Sequence, residues 1–169
     1  MKTIHEKLRS QRGMTLTEVL VALIILSLVT VGIATGVGAS LRVYRQATEA
    51  SDAQMLASTL STALMDELRY ARDISGTTDP TFTSGTFGEN VFFDVDNDGY
   101  VVVKTVGNDS EPPKLLSSAV YAKLQIRTAE VTYNSGVFQV ALTIRSGTED
   151  RDVRTESFAV RALNAQPAA

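Results

Sequence analysis

The residue in this sequence best placed to do chemistry is a glutamate at the edge of a long apolar run. From Val19 to Leu41 there are 23 residues without a formal charge, rich in Leu, Val and Ile, and Glu18 directly precedes them. A carboxylate held against hydrocarbon is costly and calls for a partner. A second constellation is Asp94-Val95-Asp96-Asn97-Asp98-Gly99, which matches the first half of an EF-hand loop, with oxygen ligands at alternate positions and glycine at the sharp turn. The twelfth position of such a loop needs a bidentate glutamate, but here it is Thr105, and the flanking residues read as strands. Asp94, Asp96 and Asp98 are therefore a weak calcium candidate, and a polar hairpin turn is the plainer reading.

Other chemistry is excluded by composition. The chain has no cysteine, so disulfides, thiolate metal sites and cysteine nucleophiles are absent. Its one histidine, His5, lies ahead of the apolar run. No serine stands in a G-x-S-x-G context, and no glycine-rich loop leads into a helix to cradle phosphate. These absences lead to the expectation of a non-enzymatic protein without cofactors.

The apolar run must be positioned by a helix. At about 1.5 Å per residue it spans roughly 35 Å, enough to cross a hydrocarbon core of about 30 Å. A secretory signal has a shorter apolar segment followed by a small-residue cleavage site. Here the small residue, Gly13, comes before the run, so cleavage there would keep the helix. Residues 1–13 contain Lys2, Lys7, Arg9 and Arg12 against Glu6, a net charge of +3. This basic excess favours a leader held in the cytoplasm and the remainder outside. The whole chain has 16 basic and 19 acidic residues; without the leader 12 and 18 remain, a net charge of −6. An acidic mature chain gives no indication of nucleic-acid binding.

The stretch from the basic leader through Gly13, then Met14-Thr15-Leu16-Thr17-Glu18 and the apolar helix, resembles the N-terminus of type IV prepilins and of the pseudopilins of type II secretion and competence systems. The resemblance implies cleavage between Gly13 and Met14 by a membrane-embedded prepilin peptidase, and N-methylation of the new amino terminus at Met14. It assigns Glu18 to assembly, pairing with the positive amino terminus of a neighbouring subunit. The alternative for Glu18 is solvation by lipid headgroups at the membrane surface. Met14 stands where many members have Phe. The implied partners are the peptidase, other pilin subunits in a homo- or hetero-filament, the assembly machinery with its ATPase, and membrane lipid before assembly. The implied location is the cytoplasmic membrane, crossed once, and then an extracellular or periplasmic filament.

Periodicity supplies the rest of the organisation. Gly32, Gly36 and Gly38 fall late in the apolar run, where each glycine weakens a helix by about 1 kcal/mol; bending during assembly and close packing of helices are both open readings. Leu56, Leu60, Leu64 and Leu68 recur every four residues, with Ala53, Ala57, Ala63 and Ala71 on the same broad face. This predicts an amphipathic continuation of the helix to about Asp73. Residues 77–90, rich in Thr, Gly and Ser, read as a surface loop. Val91–Val95 and Tyr100–Val106 predict a hairpin, followed by a loop over Gly107–Pro113. A strand from Lys123 changes apolar parity near Ala129, which predicts a bulge there. Asn134-Ser135-Gly136 turns the chain into an alternating strand bearing Phe138, Val140, Leu142 and Ile144. A charged loop, Gly147–Asp152, precedes a last strand at about Val153–Ala162.

The expected fold class is thus α+β: a long N-terminal helix packed on a C-terminal antiparallel sheet, as in pilins. The expected boundaries are a leader over 1–13, an assembly helix over 14–41, its amphipathic continuation over 42–75 and a globular head over 76–169. The expected function is a structural subunit of a type IV pilus or pseudopilus, with a minor or pseudopilin role favoured. The competing expectation is a single-span, membrane-anchored binding module for calcium or carbohydrate.

Overall fold

The computed structural model describes residues 14–108 and 110–164. It begins with one long helix, α1 (Leu16–Arg69). Four residues after Leu56 comes Leu60, then Leu64 and Leu68, one turn apart each, so they fall on one face together with Ala53 and Ala57. All six are fully buried against the strands that follow. The polar residues between them, Ser58, Asp66 and Arg69, are exposed.

The helix stops at Arg69, short of the expected Asp73. Its last carbonyls find partners from the far end of the chain: Leu163 N–H donates to Arg69 O at 2.8 Å, and the Asn164 side-chain amide donates to Tyr70 O at 3.2 Å. The chain then turns directly into β1 (Arg72–Ser75), with Asp73 at φ 48.

The expected single sheet is two antiparallel sheets. The first has strand order β1-β2-β3-β4, adding β2 (Thr81–Ser84), β3 (Gly88–Val95) and β4 (Val101–Thr105). The expected loop over 77–90 therefore contains β2 and the start of β3. Phe82 is the reason, because it is fully buried and stacks on Phe93 with ring centroids 5.4 Å apart. The second sheet has order β5-β6-β7, with β5 (Leu124–Asn134), β6 (Val137–Ser146) and β7 (Asp152–Arg161).

Two sets of backbone bonds explain the division. The outer edge of β4 is occupied by the next loop, where Val103 N–H donates to Pro113 O and Leu115 N–H to Val101 O, each at 2.9 Å. The outer edge of β5 is occupied by the segment after β1: Asp79 N–H donates to Val131 O at 3.0 Å and Tyr133 N–H to Thr77 O at 2.8 Å. With these edges taken, the two sheets share no strand ladder. They meet through side chains, with Phe82 edge-on to Phe138 at 6.2 Å between centroids, and through one bond from Ile126 N–H to Gly99 O at 2.8 Å.

The β3–β4 hairpin and the β5–β6 hairpin close where expected, with Val95 opposite Val101 and Asn134 opposite Val137. Ser135 and Gly136 both take positive φ, 50° and 84°, as a two-residue hairpin turn of matching twist requires. The irregularity in β5 lies between Ile126 and Thr128, two residues before the expected Ala129. Phe138, Val140, Leu142 and Ile144 of β6 are buried as their alternation predicts. Val160 of β7 is buried and Phe158 is half-buried.

A one-turn helix, α2 (Ser118–Tyr121), had no clear sequence signal. It delivers Tyr121 into the core, where the phenol oxygen accepts a bond from Val101 N–H at 3.0 Å. The described chain divides into two compact units, one up to Arg45 and one from Gln46 onward.

Candidate assembly site at the start of the helix

The site is built on the first turn of α1. Thr15 is the residue before the helix, and its backbone carbonyl accepts bonds from Glu18 N–H at 3.0 Å and Val19 N–H at 3.2 Å. Its hydroxyl oxygen also lies 3.3 Å from Glu18 N, the position of an N-capping acceptor. Thr17, two residues on, lies inside the helix with its hydroxyl 3.0 Å from that of Thr15.

Capping by Thr15 has a consequence for Glu18. A glutamate in the first turn is favoured by the helix dipole, and the spacing Thr15-x-x-Glu18 is that of a capping box. Yet among the described residues the Glu18 carboxylate accepts no hydrogen bond and joins no ion pair. The side chain is exposed, as is Met14, one residue before the cap. Gly13, the other half of the expected cleavage bond, lies outside the described residues.

From Leu16 to Thr48 every residue of α1 is exposed, including Leu20, Leu23, Ile24, Leu26, Leu28 and Ile33. Three of its hydroxyls bond locally: Ser27 donates to Leu23 O at 2.7 Å, Thr30 to Leu26 O at 2.8 Å, and Thr35 to Val31 O at 3.1 Å and Gly32 O at 3.0 Å. A helix whose polar side chains turn back onto its own carbonyls presents hydrocarbon outward, which suits lipid. Among the described residues it is the one helix long and apolar enough to cross a membrane. Gly32, Gly36 and Gly38 have open space where a Cβ would stand, so nothing among the described residues requires them to be small.

The aspartates of the β3–β4 turn serve the hairpin. Asp96 Oδ1 accepts from Asp98 N–H at 3.0 Å and from Tyr100 N–H at 2.8 Å. Asp94 pairs with Lys104 on the neighbouring strand and accepts from Val95 N–H at 2.7 Å. Asp98 is exposed. Among the described residues no group of three or more Asp, Glu, His or Cys is arranged to hold a metal ion.

The family model of the prokaryotic N-terminal methylation motif matches residues 8–34, a span holding the basic leader end, Gly13, Met14, Glu18 and much of the apolar helix. With that motif continuous with a long, uncovered apolar helix, the chain fits a type IV pilin-like protein. No curated protein and no solved structure matches the chain. For a pilin-like protein the motif implies processing by prepilin peptidase and assembly with other pilins. Pilins are structural proteins, not an enzyme family. The apolar helix suggests a single-span membrane anchor.

Proposed function

We propose that this pilin-like chain is a minor pilin or pseudopilin, cleaved between Gly13 and Met14, N-methylated at Met14 and assembled through Glu18. The observation that carries the proposal is the pairing of the methylation motif with a Glu18 carboxylate that has no partner among the described residues. Before assembly the helix rests in the cytoplasmic membrane with the leader inside. In the filament, extracellular or periplasmic, the helices of other subunits replace lipid around it.

The Met14 ammonium of one subunit supplies the cation that Glu18 of its neighbour lacks. In a medium of low dielectric, an unpaired member of such a pair is destabilised by several kcal/mol, about 3–5 in measured cases. The pair therefore acts as a registry device, admitting a subunit at one axial position. The absence of a cysteine pair, which many major pilins of diderm bacteria carry, favours the minor or pseudopilin role.

Glu18→Gln is the test, because it keeps the shape and removes the charge. The expected result is normal removal of residues 1–13 but loss of the subunit from sheared filaments. Incorporation equal to the unaltered chain would overturn the assembly role. An uncleaved chain that still performs its function at the membrane would favour the anchored binding module.

A further inference from the structure

The end of the loop between β6 and β7 is tied down by ion pairs from Glu149 to Asp152. Arg127 of β5 bridges Asp150 of the loop and Asp152 at the start of β7, with Nη2 2.8 Å from Asp150 Oδ1 and Nε 2.8 Å from Asp152 Oδ1. Arg145 of β6 reaches the same Asp150 oxygen at 2.8 Å. Arg127 also donates to the carbonyl of Asp150 at 2.9 Å, a residue held at φ 46. The backbone closes the loop at its base, where Ser146 N–H donates to Arg151 O and Gly147 N–H to Lys123 O, each at 2.8 Å.

One loop side chain points the other way. Arg151 Nη2 lies 2.8 Å from Glu49 Oε2 of α1, with Glu149 flanking Arg151 at 3.5 Å. The Glu49 side chain is 21% exposed, and along α1 it is the first residue that is half-buried. The first buried apolar residue, Ala53, comes one turn later, and residues 50–52 between them are exposed. Within the second unit, this ion pair to α1 thus lies one turn ahead of the first buried apolar residue of the helix.

We infer that the 147–152 loop is an electrostatic latch that holds the first turns of α1 within the second unit. Arg127 and Arg145 set the loop, and Arg151 is the hook that engages Glu49. Apolar burial from Ala53 to Leu68 is indifferent to salt, whereas a partly exposed ion pair is screened by it. The turn over residues 46–52 is thus released or held by ionic strength while the grip from Ala53 onward stays closed. This device is independent of what the apolar part of the helix does.

The test is hydrogen exchange, read by mass spectrometry, on the full chain in detergent. Arg151→Gln and Glu49→Gln are each expected to speed exchange over residues 46–52 by about two- to fivefold, the range set by a partly exposed pair. Exchange over 56–68 is expected to stay unchanged. Salt at 1 M, where the screening length is about 3 Å, is expected to do the same to the unaltered chain. The double exchange Glu49→Arg with Arg151→Glu is expected to restore protection. Unchanged exchange over 46–52 in both single variants would overturn the latch. So would faster exchange that extends through 56–68, because it would mark general loosening.

Discussion

The two ends of α1 share one backbone and differ in what covers them. From Val19 to Leu41 the surface is predominantly apolar all round and exposed; from Ala53 to Leu68 it is apolar on one face, and that face is packed into the core. A helix that is apolar all round has no preferred side for a sheet, so it needs a surrounding solvent of lipid or like helices. A helix with a stripe has a side, and the two sheets use it. The difference teaches that a continuous element serves two solvents by changing its pattern, with no break in its hydrogen bonds.

The largest expected effect tests the striped end. Leu60→Ala removes a fully buried side chain that faces the sheets, and it is expected to cost about 2–5 kcal/mol in thermal unfolding of the full chain in detergent. Its counterpart, Leu28→Ala, alters an exposed side chain of the uniform end and is expected to leave that transition within about 0.5 kcal/mol. Equal losses from the two would break the comparison.

Next in size is the join between the two sheets. Gly99 sits at φ +80, and a Cβ there would stand 2.6 Å from Gln125 Cβ. Its carbonyl accepts from Ile126 N–H at 2.8 Å, linking the β3–β4 turn to β5. Gly99→Ala is expected to cost about 1–3 kcal/mol through strain and collision, read by the same melting curve.

Tyr121 gives a comparable effect with a pH signature. Burial pushes its phenol up to about 12 from the ordinary 10.0. The folded protein therefore holds the proton more tightly than the unfolded chain, so stability is full below pH 10 and falls as pH rises towards 12. The loss reaches at most about 2–3 kcal/mol. Tyr121→Phe is expected to remove this alkaline loss from a stability-against-pH profile. At neutral pH it leaves Val101 N–H without its partner, at a cost of about 1–3 kcal/mol.

These sites also mark what was legible in the sequence. The leucines of α1 and the alternation of β6 were readable because period and burial coincide. The β3–β4 turn was readable from Asp96 to Gly99, since turn chemistry is local. The candidate site was proposed from the sequence because Gly13, Met14 and Glu18 lie just ahead of the apolar run; of these, the structure describes Met14 and Glu18, both exposed. The end of α1 was not, because its carbonyls are satisfied by Leu163 and Asn164, almost a hundred residues away. β2 was hidden in a Thr- and Ser-rich stretch, with Phe82 as its lone large apolar residue. The division into two sheets depends on loops occupying the outer edges of β4 and β5, and edge coverage leaves no periodic trace.

The central claim is that the uniform end of α1 belongs to a processed filament subunit. The most direct measurement is the intact mass and N-terminal sequence of the protein from its native membrane fraction. The account predicts a chain that begins at methylated Met14 and is lighter by residues 1–13. A chain still beginning at Met1, in cells with an active prepilin peptidase, would contradict it.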